Sequence, residues 1–316
     1  MPAGDASHGG LSADESPEPG TSGDPLSGEL SLSAVPVLSS HVVAGRPVVP
    51  LALMLEWLAR EAAREPAGGP GAYCGICEVR DLRVLRPLTV DARPQRWAVR
   101  RIDDAVGTTG TDATARVQVV CIESGREPVV HATATIAFAE RAHDAGEFAM
   151  TEGARGAHEA TIDETYRNTL FHGRALRLIE RVDGIDESGA RARVRCDALP
   201  GDWISGATDW RWLTNPPSVD AALQLGIVWT SRQRGLASLP MVIGSWRMIA
   251  PAWPAADCVD AVLAVRSVHG SRLRADVAFI HEGRRIAEMR SVDWIMDASL
   301  AAIFRAQAAA DDGARR

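Results

Sequence analysis

The sequence predicts an α+β fold built from two tandem units, each a long buried helix wrapped by an antiparallel β-sheet. Three observations carry that reading. A helix-length apolar stretch occurs at 50–64, a second at 218–232, and each is followed by four β-like runs.

The first stretch, PLALMLEWLAREAAR, opens on Pro50, a favoured first helical position, and is apolar around most of a helix surface. A helix of that kind is buried. The runs 75–88, 96–102, 114–123 and 128–139 are rich in Val, Ile and Thr and are separated by turn residues, so they read as strands. In the second half, SVDAALQLGIVWTSR follows the pair Pro216–Pro217, with Ser218 suited to cap the helix. Strands are predicted near 239–250, 257–268, 272–281 and 285–296. The last hairpins of the halves share a turn sequence, Ile122-Glu-Ser-Gly125-Arg126 and Ile280-His-Glu-Gly283-Arg284, with Gly where a tight turn needs positive φ. A repeated helix-then-sheet order points to an internal duplication.

The expected boundaries follow: a disordered linker over 1–32, a first unit over 33–140, and a polar, Gly/Ala-rich linker over 141–160. A second unit covers 161–300, and a flexible tail 301–316. The length of 316 residues suits two such units. The Gly-, Ser- and Pro-rich start lacks the apolar core of a signal peptide, and reads as a stretch within a longer polypeptide.

Composition narrows the function. A formal charge of −7 argues against a nucleic-acid or anionic-membrane partner, and no stretch reaches the length of a membrane span. All 34 basic residues are Arg, which excludes Schiff-base and P-loop chemistry, since both need a lysine amine. Five scattered cysteines imply no disulfide framework and fit a reducing cytoplasm. Cys74-Gly-Ile-Cys77 has metal-site spacing but no second pair, so it reads as part of a strand. Trp203, Trp210 and Trp212 read as core or tunnel wall rather than a base-stacking platform.

Two segments carry chemistry. His41-Val-Val-Ala-Gly45-Arg-Pro-Val-Val-Pro50 sets a histidine among valines ahead of the first helix. Apolar surroundings keep an imidazole neutral, as a general base requires, while a plain loop histidine fits the same residues. Gly45 permits a sharp bend and Pro50 fixes where the helix begins. Asp220-Ala-Ala-Leu-Gln224 places two side chains four apart on one helix face, so Gln224 can orient the Asp220 carboxyl. Desolvation would raise the Asp220 pKa and the helix dipole would lower it; the sequence leaves that balance open.

Taken together, His-x3-Gly-x4-Pro in one half and Asp-x3-Gln in the other resemble the dehydratase domains of polyketide and polyunsaturated-fatty-acid synthases. The resemblance spans roughly residues 33–300 and implies a double hot-dog fold, with a His41/Asp220 pair meeting between the units. A third segment, Tyr166-Arg-Asn-Thr-Leu-Phe171-His172-Gly173, looks like the one that opens the second unit in that family. There the familiar form ends Tyr-Gly-Pro; here the residues are His172-Gly173-Arg174, so His172 either touches substrate or lines the tunnel. The resemblance implies a β-hydroxyacyl thioester on the phosphopantetheine arm of an acyl carrier protein. It implies His41 as base, Asp220 as acid, and no metal or redox cofactor. The other synthase domains are implied partners, and a homodimer is left open. A hot-dog thioesterase, a product-template cyclase and a non-catalytic scaffold are the rival readings.

Overall fold

The computed structural model describes residues 26–64, 76–91, 95–102, 113–123, 125–138, 160–250 and 252–313. The predicted 141–160 linker, all but its last residue, lies outside them, as do Cys74 and the start of the predicted 75–88 strand.

In the first unit, β1 (Ser27–Glu29) leads through a 3-10 turn (Pro36–Ser40) to the short hairpin β2 (Val42–Val43) and β3 (Arg46–Pro47). Helix α1 (Leu51–Arg64) follows, then β4 (Ile76–Val84), β5 (Gln95–Arg101), β6 (Ala113–Glu123) and β7 (Val129–Phe138). The second unit has α2 (Ile162–Asn168), the hairpin β8 (Ile179–Asp186) and β9 (Gly189–Arg195), and a short α3 (Pro200–Trp203). It continues with the long α4 (Pro216–Arg234), four strands, β10 (Ser238–Met248), β11 (Cys258–His269), β12 (Arg272–His281) and β13 (Arg284–Met296), and α5 (Leu300–Gly313).

Eleven strands form one antiparallel sheet in the order β1-β5-β6-β7-β4-β10-β13-β12-β11-β9-β8. The halves join where β4 pairs with β10, with Val242 opposite Arg83 and Trp246 opposite Val79. Each half of the sheet packs on its own helix, and α1 and α4 also touch each other. Leu51 through Ala59 of α1 and Pro216 through Thr230 of α4 are all buried, so each helix is core on every side. The α4–sheet contact depends on Gly226: a Cβ there would stand 2.2 Å from Cε2 of Trp294, whose indole N–H donates to the Leu223 carbonyl at 3.0 Å. Trp203 is buried, meets Trp212 edge-on, and belongs to the core. No helix among the described residues is long and apolar enough to cross a membrane.

Four expectations change. Residues 27–30 are not linker: β1 pairs with β5 and Leu30 is buried. Residues 301–313 are not a loose tail but most of α5, an Ala-rich helix with good intrinsic propensity that buries Phe304. Ser218 does not cap α4. Asn215, held at φ 52°, accepts from the Ser218 amide, and Pro216–Pro217 begin the helix because first-turn N–H groups need no helical partner. The two similar turn sequences also diverge. Glu282 and Gly283 make a two-residue turn with positive φ at both, whereas β6 and β7 pair only from Cys121–Val129 outward. Pro128 has no N–H to extend that ladder.

Candidate active site

His41 sits where the 3-10 turn passes into the β2–β3 hairpin. That hairpin turns at Ala44 and Gly45, both at positive φ, which brings Val48 back beside His41. The Val48 amide donates to the His41 carbonyl at 2.9 Å. In return, Nδ1 of His41 lies 2.7 Å from the Val48 carbonyl oxygen. A carbonyl only accepts, so Nδ1 carries the proton and Nε2 keeps its lone pair. Burial of the ring pushes the His41 pKa down to about 4, with the Val48 bond opposing only in part. At neutral pH the imidazole is uncharged.

The same segment reaches across to the second unit. His41 and His172 form an antiparallel β-bridge, the Gly173 amide donates to the Ser40 carbonyl at 2.8 Å, and the Ala175 amide to Ser40 Oγ at 3.2 Å. The loops carrying the two histidines are therefore tied together by main-chain bonds, which hold position better than side-chain contacts alone. Phe171 meets His41 edge-on at 5.0 Å and stacks on His172 at 4.0 Å between ring centres. Phe304 of α5 closes on Phe171 from behind at 4.6 Å, so the C-terminal helix buttresses this wall.

Asp220 lies one turn into α4 and is 3% exposed. Burial raises its pKa to about 7, opposed by the hydrogen bond from Gln224. Desolvation thus outweighs the helix dipole, whose effect fades beyond the first turn. Gln224 is fully committed. Its Nε2 donates to Asp220 Oδ2 at 2.7 Å and to the Leu176 carbonyl at 2.9 Å, while its Oε1 accepts from the Tyr166 hydroxyl at 2.8 Å. The Tyr166 hydroxyl accepts in turn from the Ile179 amide at 2.9 Å. Leu176 and Ile179 fix both ends of this chain, so Gln224 presents its NH₂ to Asp220. Tyr166 is a support two bonds behind the acid.

One ring nitrogen of His41, one of His172 and one carboxyl oxygen of Asp220 all lie within 4.8 Å of one another. His172 Nε2 is 3.9 Å from Asp220 Oδ2, beyond hydrogen-bond reach. Burial, and His41 beside it, hold the His172 pKa well below the usual imidazole value, so no ion pair forms there. Of the residues singled out in the sequence, His41, His172, Asp220 and Gln224 converge, with Tyr166 behind them. Gly45 shapes the hairpin and Pro50 takes the first α1 amides, those of Leu53 and Met54, on its carbonyl. Phe171 lies in the Tyr166–Gly173 segment but carried no expected role there, and Phe304 and the Leu176 carbonyl had no motif to mark them.

Gln224→Leu is expected to slow turnover about tenfold, since one neutral hydrogen bond contributes roughly 0.5–1.5 kcal/mol. Because the lost bond lowered the Asp220 pKa, the alkaline limb of the pH–rate profile should also move upward. An unshifted limb with an unchanged rate would remove Gln224 from the site.

Two tandem helix-in-sheet units with a buried histidine–aspartate pair at their seam define a double hot-dog of the dehydratase type. Comparison with known proteins agrees. A family model described as polyketide synthase dehydratase domain matches residues 13–119, and one described as polyketide synthase dehydratase N-terminal domain matches 145–296. The chain belongs to the polyketide synthase dehydratase family. Among curated proteins, a polyunsaturated fatty acid synthase polypeptide of Thraustochytrium is 27% identical over 229 residues, covering 70% of this chain. The chain corresponds to only 8% of that relative's length. The dehydratase domain from the CurJ module of curacin polyketide synthase shares the fold, with a TM-score of 0.67 at 17% identity over 88% of this chain and 92% of that one. The dehydratase domain of PpsC from Mycobacterium tuberculosis gives 0.64 at 20% identity over 86% and 92%. The CurK dehydratase, known as inactive His→Phe and Asp→Asn variants, gives 0.65 and 0.64 at 16% and 15% identity, each over 86% and 92%.

Proposed function

We propose that this chain removes water from a β-hydroxyacyl thioester delivered on the phosphopantetheine arm of an acyl carrier protein, as one domain of a polyketide or polyunsaturated-fatty-acid synthase. One observation carries the reading: a neutral histidine and an aspartic acid whose pKa is raised to about 7 lie within 4.8 Å of one another in a buried seam. Nε2 of His41 takes the α-proton, which the thioester acidifies. Asp220 gives its proton to the β-hydroxyl, which leaves as water. The C–H electron pair becomes the new α,β double bond. Afterwards His41 holds a proton that Asp220 lacks, and its passage across the short gap resets the site. The Leu51 and Ala52 amides, which precede those that Pro50 takes at the start of α1, are our candidates for the thioester oxygen as negative charge builds there. Both proton transfers come from side chains, so the reading assigns no metal or redox cofactor. The CurK dehydratase is inactive when a histidine or an aspartate is replaced, which supports a need for both residue types without assigning their roles.

The signs of the two shifts fix the pH dependence. His41 must be neutral, so kcat/KM rises with pH through about 4. Asp220 must be protonated, so activity declines as pH rises past about 7. A profile that climbs through neutrality would mean the acid has been misassigned. The direct test is mass spectrometry of a 3-hydroxyacyl carrier protein incubated with the chain. Loss of water is expected. Loss of the acyl group would mean a thioesterase, ring closure with the double bond absent a cyclase, and an unchanged mass a scaffold.

A further inference from the structure

We propose that His41, His172 and Asp220 form a two-histidine, one-carboxylate site for zinc, and that the metal inhibits the chain rather than serving it. Among the described residues this is the only cluster of three metal-ligating side chains so close together. It lies where an outside cation meets little competition from water, since His172 and Asp220 are 5% and 3% exposed.

The donor types and their orientation suit zinc. Two imidazole nitrogens and one carboxylate oxygen, with a fourth position left open, is an arrangement zinc takes readily. Donors in a tetrahedral site with bonds of about 2.0–2.1 Å sit roughly 3.4 Å apart. Here His172 Nε2 and Asp220 Oδ2 are already 3.9 Å apart, and no pair of the three exceeds 4.8 Å. Rotations of the side chains by a fraction of a bond length to about one bond length close the rest. Ligating histidines commonly donate their second N–H to a carbonyl, which fixes the free nitrogen on the metal. His41 is held this way by Val48, and Gln224 positions Asp220 through a hydrogen bond to Oδ2.

His172 turns its Nε2 toward Asp220, and its Nδ1 is buried without a hydrogen-bond partner, so no hydrogen bond opposes the small ring rotation that ligation through Nε2 needs. Zinc here would occupy the lone pair with which His41 takes the α-proton, and would hold the Asp220 oxygen that delivers a proton. The coordinated carboxylate releases its acid proton to solvent, so one Zn²⁺ enters and one H⁺ leaves.

The experiment is calorimetric titration of the full chain with zinc chloride, alongside cobalt chloride followed by visible absorption. One equivalent should bind, with the cobalt form showing the intense bands of a four- or five-coordinate site. His172→Tyr and Asp220→Asn should each weaken binding at least about tenfold, since losing even an outer partner of a metal ligand costs 10–100-fold. If the wild-type chain takes up no metal, or if both variants bind as it does, the proposal is overturned. The readout is independent of turnover, so a chain that failed as a dehydratase but bound one zinc through His172 would still support the site. In the active chain, zinc should abolish dehydration and a chelator should restore it.

Discussion

Asp220→Asn is expected to cut single-turnover dehydration by at least about 10²–10⁴-fold while the chain stays folded, the range that one positioned proton donor supplies. Asparagine has nearly the same shape, and its carbonyl oxygen can still accept from Gln224, so neither packing nor the Tyr166–Gln224 chain is disturbed. It has no acid proton to give the departing hydroxyl. His41→Ala should fall to a similar level for the complementary reason, since nothing else in the seam is placed on the Val48 carbonyl with a lone pair facing Asp220. The double variant should lose little beyond the worse single one, because two groups acting in one transition state are not additive. Mass spectrometry of the acyl carrier protein within one turnover measures all three. Near-native turnover in either single variant would remove that residue from the chemistry.

The sequence readings that succeeded rest on strong periodic signals, and those that failed on weak ones. α1 and α4 were visible because buried helices of their length are apolar on every face, and β10 to β13 because Val, Ile and Ala runs are broken by turn residues. The β8–β9 hairpin was missed. Its inward residues Ala190 and Ala192 are small, while Arg191, Arg193 and Arg195 alternate with them on the outside, where Arg191 pairs with Asp260 and Arg193 with Glu180. The pattern has period two but little hydrophobic contrast. For α2 the sequence carries a local signal, the complete capping box of Thr161 and Glu164, but at seven residues the helix is too short to show a periodic one. At the site, residue types on one element were legible, such as the Asp220–Gln224 spacing. Contacts that close only in three dimensions were not. Nothing in the chain's order announces that the Ser40–His41 and His172–Gly173 backbones pair, or that Phe304 backs Phe171.

The most consequential residue of that hidden kind is Glu56, and its removal is expected to destabilise the chain by about 3–5 kcal/mol, as for other buried charges stripped of their counterpart. Glu56 lies mid-helix in α1, wholly buried. Its carboxyl oxygens accept from the Leu213 amide at 3.0 and 3.1 Å and from the Thr214 amide and hydroxyl, each at 2.8 Å. Arg60 Nε adds a fourth donor at 2.8 Å. Leu213 and Thr214 lead directly into Asn215, the cap of α4, so this carboxyl ties the helix of the first unit to the start of the helix that carries Asp220. Buried ion pairs can often be exchanged for apolar residues at no loss, because both partners are exchanged. Here the Leu213 and Thr214 amides are donors that no substitution removes, and with Thr214 wholly buried Glu56→Leu leaves its amide and hydroxyl unpaired in the core. Against a typical total of roughly 5–15 kcal/mol, that is a large share. Arg60→Ala should cost much less, since its guanidinium is partly solvated and the other three donors stay paired. Urea unfolding of the two variants decides the matter: a Glu56→Leu midpoint at or above that of Arg60→Ala would show that the carboxyl is not the tie between the units.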